Sequence, residues 1–399
     1  MDKSLERFLR YVKIDTQSDD LSSSTPSSEK QLNLSRLLLK ELEEMGIRGE
    51  IDEYGRLYAK LDGEEGYPTI GFNSHVDTAL ELSGKDVKPR VIEDYDGGVI
   101  RLNEAYSMDP EHFPRLKNRV GQTLVVTDGT TLLGADDKAG DAIIMSMLDY
   151  FVSHPEVKHH PIAILFTPDE EIGRGPEHFN GKKFGADWAY TIDGDSPKNI
   201  EMENFNAAHA SILISGVSIH PGEAKGKMVN AARLAGEFDA LLPADDRPEK
   251  TDGREGFNHL THIEGEVDKA TLSYILRNHD RARLESQKED FRKAVKALQK
   301  KYPSAQIALE IKDDYRNMKE VFDKDPRAIE HAVKVYRSLG IEPNFEPIRG
   351  GTDGATFSFL GCPTPNLGTG SYHHHGRYEF LSKEEFDQMI SLCITLAKI

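Results

Sequence analysis

Only two cysteines, Cys362 and Cys393, occur in 399 residues. They cannot build a disulfide framework, and without a CxxC pair there is no structural zinc ribbon. Positive charge is also short, with 50 Lys and Arg against 68 Asp and Glu and a formal net charge of −18. Phosphate backbones and anionic lipid surfaces are gripped by clustered cations, so neither nucleic acid nor membrane is an expected partner. No window approaches the roughly 18 consecutive apolar residues of a membrane span. The N-terminal stretch sets Leu5, Phe8, Leu9 and Val12 at helical spacing among charges, without the apolar run and cleavage site of a secretory leader. A soluble, cytoplasmic chain in a reducing compartment is expected. Length and core are ample: at roughly 150 residues per domain the chain holds two or three. Its 38% apolar and 30% charged residues make a globular balance. Only the polar segment Ser18 to Ser28 reads as weakly structured.

The first half alternates helical periodicity with short apolar runs, the order of an α/β layer protein. Leu34, Leu37, Leu38, Leu42 and Met45 form one face of a helix that Gly46 can end. Short runs at 68–72, 124–127, 162–167 and 188–192 read as buried strands of one sheet, with a helix from about Ala139 to Phe151 between the second and third. From residue 206 the order becomes strand, helix, two strands, a charged helix and a strand, which is the split pattern of a ferredoxin-like domain. The expected organisation is a discontinuous domain of residues 1–205 and 318–399 with an insert of residues 206–317. Residues 243–256 read as a solvent loop of that insert.

Five polar clusters stand out, four of which follow or adjoin apolar runs: Ser74-His75-Val76-Asp77-Thr78, Gly134-Ala135-Asp136-Asp137-Lys138, Thr167-Pro168-Asp169-Glu170-Glu171, Thr191-Ile192-Asp193-Gly194-Asp195 and His373-His374-His375-Gly376. In α/β sheets ligands gather where strand carboxyl ends open into loops. Imidazole and carboxylate are the ligands of zinc, cobalt or manganese in non-redox hydrolysis. Singly, each cluster is ordinary: strand-end acids are commonly solvated or cap helices, and one histidine can be a hydrogen-bonded core residue. Jointly, so many like charges at one sheet edge would repel without a cation, so a metal centre is the simplest explanation. Residue chemistry leaves Asp136 and Asp137 equivalent. The glycines at 350, 351 and 354 fit close backbone approach better than a phosphate cradle, because no GxGxxG or GxxxxGK pattern is present.

The motifs SHVDT, LLGADDKAG, TPDEEIGRG, YTIDGD, VSIHPGEAKGKMVNA, RGGTDGA and HHHGRYEF, ordered along essentially the whole chain, resemble the M20 metallopeptidases. The resemblance implies an α/β fold: a mixed-sheet zinc-peptidase catalytic domain with an inserted ferredoxin-like α+β dimerisation or lid domain. It implies two Zn2+ ions per subunit, with Co2+ or Mn2+ as substitutes, bridged by Asp136. His75 and Asp193 complete one site, and Glu171 and His375 the other. His375 is chosen because it immediately precedes Gly376, although His373 or His374 could compete for metal or line the substrate entrance. Asp77 would orient His75, and Glu170 would be the general base. His220, Arg277 and Arg349 would meet the substrate, His220 by reaching across a homodimer paired through the insert. By their residues alone, His220 could be a strand-end cap and the arginines surface ion pairs. The implied activity is removal of the N-terminal residue from tripeptides. The alternatives are a dipeptidase, a carboxypeptidase or an N-acyl amino acid deacylase on the same scaffold, and a metal-binding protein without turnover.

Overall fold

The computed structural model describes residues 2–399; Met1, with which the first expected segment begins, lies outside them. The chain separates into two compact units: 1–202 with 320–346 and 352–399, and 203–319 with 347–351. Among the described residues no helix is long and apolar enough to cross a membrane.

The first unit is built on a seven-stranded sheet in the order Gly49–Ile51, Leu57–Leu61, Ile162–Thr167, Ile70–His75, Trp188–Gly194, Asn366–Gly368, Ile200–Glu201. The four strands from Ile162–Thr167 to Asn366–Gly368 run parallel, and the flanking strands join antiparallel, giving the expected mixed sheet. All six residues of Ile70–His75 and of Ile162–Thr167 are buried, as parallel strands covered on both faces require. His75 is in register with Thr167, so the residues after each strand emerge at one edge. The helix Ala135–Ser153 packs on this sheet; Asp136 and Asp137 keep non-helical dihedrals, so its regular turns begin at Lys138.

One expected strand belongs elsewhere. Leu124–Val126 pairs antiparallel with Arg90–Ile92 and with Phe380–Ser382, in a separate four-stranded sheet completed by Ser371–Tyr372. A three-residue apolar run satisfies any buried strand, and its partners lie far off in sequence. This small sheet holds His373, His374 and His375 in the connection between its last two strands. The segment Ser18 to Ser28 is also not loose. Ser18 Oγ donates to Asp77 (2.5 Å), Ser27 donates twice to Asp169, and Arg174 donates to the carbonyls of Ser22 and Ser24. Ser18 and Ser27 bond inward and anchor it, while Asp19, Asp20, Ser23 and Ser24 stay exposed.

The second unit has strands Asn206–Ser215, Phe257–Gly265, Lys269–Asn278 and Gln306–Tyr315, all antiparallel, with the third and first central. Its helices Ala231–Leu241 and Arg281–Lys301 are capped by Asn230 and Asp280, which accept from the backbone of Arg233 and Arg283. Alternate strand residues Ala210, Ile212, Ile214, Leu272, Tyr274 and Leu276 meet Leu234, Phe238 and Phe291 from the helices in one core. Residues 347–351 belong here and not with the 318–399 segment, because Ile348 N donates to Glu203 O (2.8 Å).

In the first unit His331, on the helix Arg327–Ser338, packs by Trp188 and His160 and shares a 2.9 Å hydrogen bond with the Tyr190 hydroxyl. Burial, then His160 and Lys334, lower its pKa to about 4. Folding therefore favours neutral His331: this stabilisation is whole above about pH 6.5 and is lost as pH falls from there towards 4. In metal-free protein, urea midpoints at pH 7 and pH 4.5 should fall further apart for the parent than for His331→Asn. Equal separations would contradict the assignment.

Candidate metal centre

Three strand ends of the first unit's sheet, at His75, Thr167 and Gly194, converge with the loop that opens the helix at Ala135 and with the histidine connection. His75 ends its strand with its ring 2% exposed, and Nε2 lies 3.1 Å from Asp136 Oδ1 and 3.5 Å from Asp193 Oδ1. His375 approaches from the other side, with Nε2 3.2 Å from Asp136 Oδ2 and 3.1 Å from Glu171 Oε2. Each oxygen of Asp136 thus faces a different histidine, and each histidine faces a further carboxylate. Asp137 also lies close, one oxygen falling within 4.8 Å of donors from His75 and Asp193. Its two oxygens accept from the backbone of His75 (3.2 Å) and Gly140 (3.1 Å). The two neighbours thus differ in setting: Asp136 faces both histidines, whereas Asp137 carries backbone hydrogen bonds and approaches only the His75–Asp193 side.

The electrostatics call for a cation. Against the cost of burial, His374, His375 and His75 hold Asp136 well below the usual carboxylate range. Burial and Asp136 push Glu171 up to about 7, and burial also raises Asp193. Hydrogen bonds to Asp136 and Glu171 push His375 up to about 12. Protons drawn onto these groups balance charge that a divalent ion would balance better. Glu171 Oε1 is buried with no hydrogen-bond partner, an orphan that a metal would satisfy. The donor set of two imidazoles and three carboxylates suits zinc, cobalt or manganese.

The model of peptidase family M20/M25/M40 matches residues 126–398. The chain belongs to this family. Peptidase T of Clostridium perfringens (strain 13 / Type A) is 48% identical over 402 residues, covering 100% of this chain and 99% of that one. Among solved structures, aminopeptidase PepT from Bacillus cereus matches with a TM-score of 0.78 at 22% identity, covering 99% of this chain and 97% of that one. The Bacillus subtilis YXEP protein, described as a dinuclear metal binding peptidase from the M20 family, matches with a TM-score of 0.65 at 14% identity and covers 99% and 96%. Both share the fold.

In this M20 chain the supporting contacts are as informative as the donors. Asp77 is fully buried, and its Oδ1 lies 3.3 Å from His75 Nδ1, an ion-pair distance outside hydrogen-bond geometry. Its oxygens also accept from Glu170 N and Glu171 N, both at 3.1 Å, so one carboxylate holds the imidazole and the turn carrying both glutamates. That turn starts from Asp169 in the left-handed region at φ 62°. Asp169 is tied by Ser27 and by Gln31, whose amide both donates to its carboxylate and accepts from its N–H. Glu170 stands at the first position of the turn, where burial, Asp193, Asp353 and Glu171 raise its pKa well above normal against the pull of His75.

Several contributors were not singled out from sequence. Glu379 is buried and accepts from the backbone N–H of Leu133 (2.8 Å), Gly134 (2.7 Å) and Asp136 (2.9 Å), pinning the loop that delivers Asp136. Asp353, raised by burial to about 7, accepts from Thr167 Oγ1 at 2.7 Å. Both lie inside quoted motifs, HHHGRYEF and RGGTDGA, which was the only signal. His373 turns to Phe113 and Phe380, whereas His374 bonds Ser371 Oγ at 2.8 Å and reaches to 3.5 Å from Asp136 Oδ2.

The three residues expected to meet substrate belong to the second unit. His220 is exposed, and its Nδ1 accepts from Gly222 N (3.2 Å), capping the turn at Pro221. Arg277 lies over Tyr315 with Nη1 3.5 Å from Asp314 Oδ2. Arg349 donates through Nη1 to the carbonyls of Gly253 (2.7 Å) and Glu255 (3.1 Å), fastening the loop expected to be free in solvent.

Proposed function

We propose that the chain is a dizinc aminopeptidase that removes the N-terminal residue from tripeptides. The observation that carries the reading is Asp136, whose two oxygens each face a histidine–carboxylate pair. Its support for the substrate class is the 48% full-length identity to a protein named peptidase T. His75, Asp193 and Asp136 would hold one ion, and His375, Glu171 and Asp136 the other. Bound zinc supplies Lewis acidity to water and to the scissile carbonyl. Glu170 takes a proton from the attacking water as its oxygen bonds to the carbonyl carbon. It passes that proton to the leaving nitrogen as the C–N bond breaks, giving an acid and an amine. Asp77 keeps His75 and the Glu170–Glu171 turn in place. His220 of a partner subunit would donate to the developing oxyanion, and Arg277 and Arg349 would receive the peptide carboxylate, in a cytoplasmic homodimer paired through the second unit.

Three forms of one tripeptide test the reading: unblocked, N-acetylated and C-amidated, each before and after chelation and zinc restoration. Zinc-dependent cleavage of the unblocked form alone is expected. Cleavage of the acetylated form would transfer the assignment to a deacylase or carboxypeptidase. A chain that binds metal and cleaves none would be a binding protein. Sedimentation of the active species tests the dimer, and full activity in a monomer removes His220 from the mechanism.

A further inference from the structure

The loop after Ile70–His75 carries a second carboxylate besides Asp77. Glu81 accepts a 3.2 Å hydrogen bond from His375 Nδ1. An imidazole that donates from Nδ1 keeps its Nε2 lone pair free, and Nε2 is the atom that faces Asp136 and Glu171. The two histidines are held very differently. His75 ends a buried strand with its ring 2% exposed, whereas the His375 ring is 42% exposed and its backbone lies at φ 63°. Packing fixes the first ring and cannot fix the second. Glu81 itself starts from a fixed point, because the Gln17 amide donates to the carbonyls of Ala79 (2.9 Å) and Leu82 (3.1 Å), on either side of it.

We propose that Glu81 is a positioning residue for His375, and that the ion held at His375 and Glu171 depends on it while the ion at His75 and Asp193 does not. The inference rests on the dizinc reading above. One loop then orients both imidazoles, Asp77 from inside the protein and Glu81 from its surface. A carboxylate of this kind behind a ligating histidine typically sets metal affinity by about 10- to 100-fold.

The test is zinc titration of the metal-free full-length chain against a chromophoric chelator, for the parent, Glu81→Ala and Glu81→Gln. The Glu81 side chain is 62% exposed, so thermal unfolding of the metal-free variants should match the parent. The expected result is two equivalents in the parent. In Glu81→Ala one is unchanged and the other at least tenfold weaker, with Glu81→Gln in between because its amide oxygen still accepts from Nδ1. At saturating zinc, KM for an unblocked tripeptide should be unchanged. Two unaltered equivalents in Glu81→Ala, or two weakened equally, would overturn the proposal. So would unaltered metal binding with a raised KM, which would place Glu81 on the substrate amine. A parent that binds fewer than two ions would remove the dizinc reading and this inference with it. A parent with two ions and an unresponsive Glu81→Ala would remove the inference alone.

Discussion

Glu170→Gln should retain two metal ions per chain and lose peptide hydrolysis by on the order of 10³-fold, within the range ascribed to general acid–base catalysis. Gln preserves the size of the side chain and its place on the turn tied to Asp77, but it cannot accept the proton of the attacking water. Metal content measured by emission spectroscopy, beside kcat on an unblocked tripeptide, separates the two properties. Hydrolysis at the parental rate would remove Glu170 from the chemistry. Loss of metal would make it a ligand instead of a base. Its neighbour Glu171 provides the contrast, since Glu171 Oε2 faces His375 and its substitution should weaken metal binding.

Asp136→Ala should have the widest effect on the centre, removing one ligand from each ion at once. Metal content should fall towards zero at micromolar zinc, and activity should fall with it. The same change at Asp137 breaks hydrogen bonds to the backbone of His75 and Gly140, so it should cost stability before metal. Thermal unfolding of the metal-free proteins, beside zinc titration, distinguishes them. If Asp137→Ala abolished metal binding while Asp136→Ala spared it, the assignment of the bridge would be reversed.

Much of the centre was legible because its donors follow apolar runs. His75 closes an apolar strand, Asp193 lies near the end of another, and Asp77 follows His75 at the spacing that brings it back to the same side. The choice between Asp136 and Asp137 was not legible from residue chemistry, since it depends on where the backbone turns before the helix at Lys138. Glu379 escaped notice because it works through the N–H groups of a distant loop, and no pattern of side chains announces a carboxylate that serves a backbone. Glu81 escaped because an exposed acid in a loop looks like any solvated charge. The fold was read more fully: the insert's alternation of apolar and polar residues is strong over ten-residue strands. In the small sheet, the three residues of Leu124–Val126 gave no hint of their partners.

The contacts of Asp77, Asp169 and Asp136 come from opposite ends of the chain. Ser18, Ser27 and Gln31 hold the first two, and Glu379 in the last segment holds the backbone of the third. During synthesis a ribosome emits the N-terminal braces early, then the whole second unit, and only afterwards His375 and Glu379. A chain terminated before His375 lacks both the imidazole that faces Asp136 and Glu171 and the carboxylate that pins the Asp136 loop, whatever its N-terminal braces have already arranged.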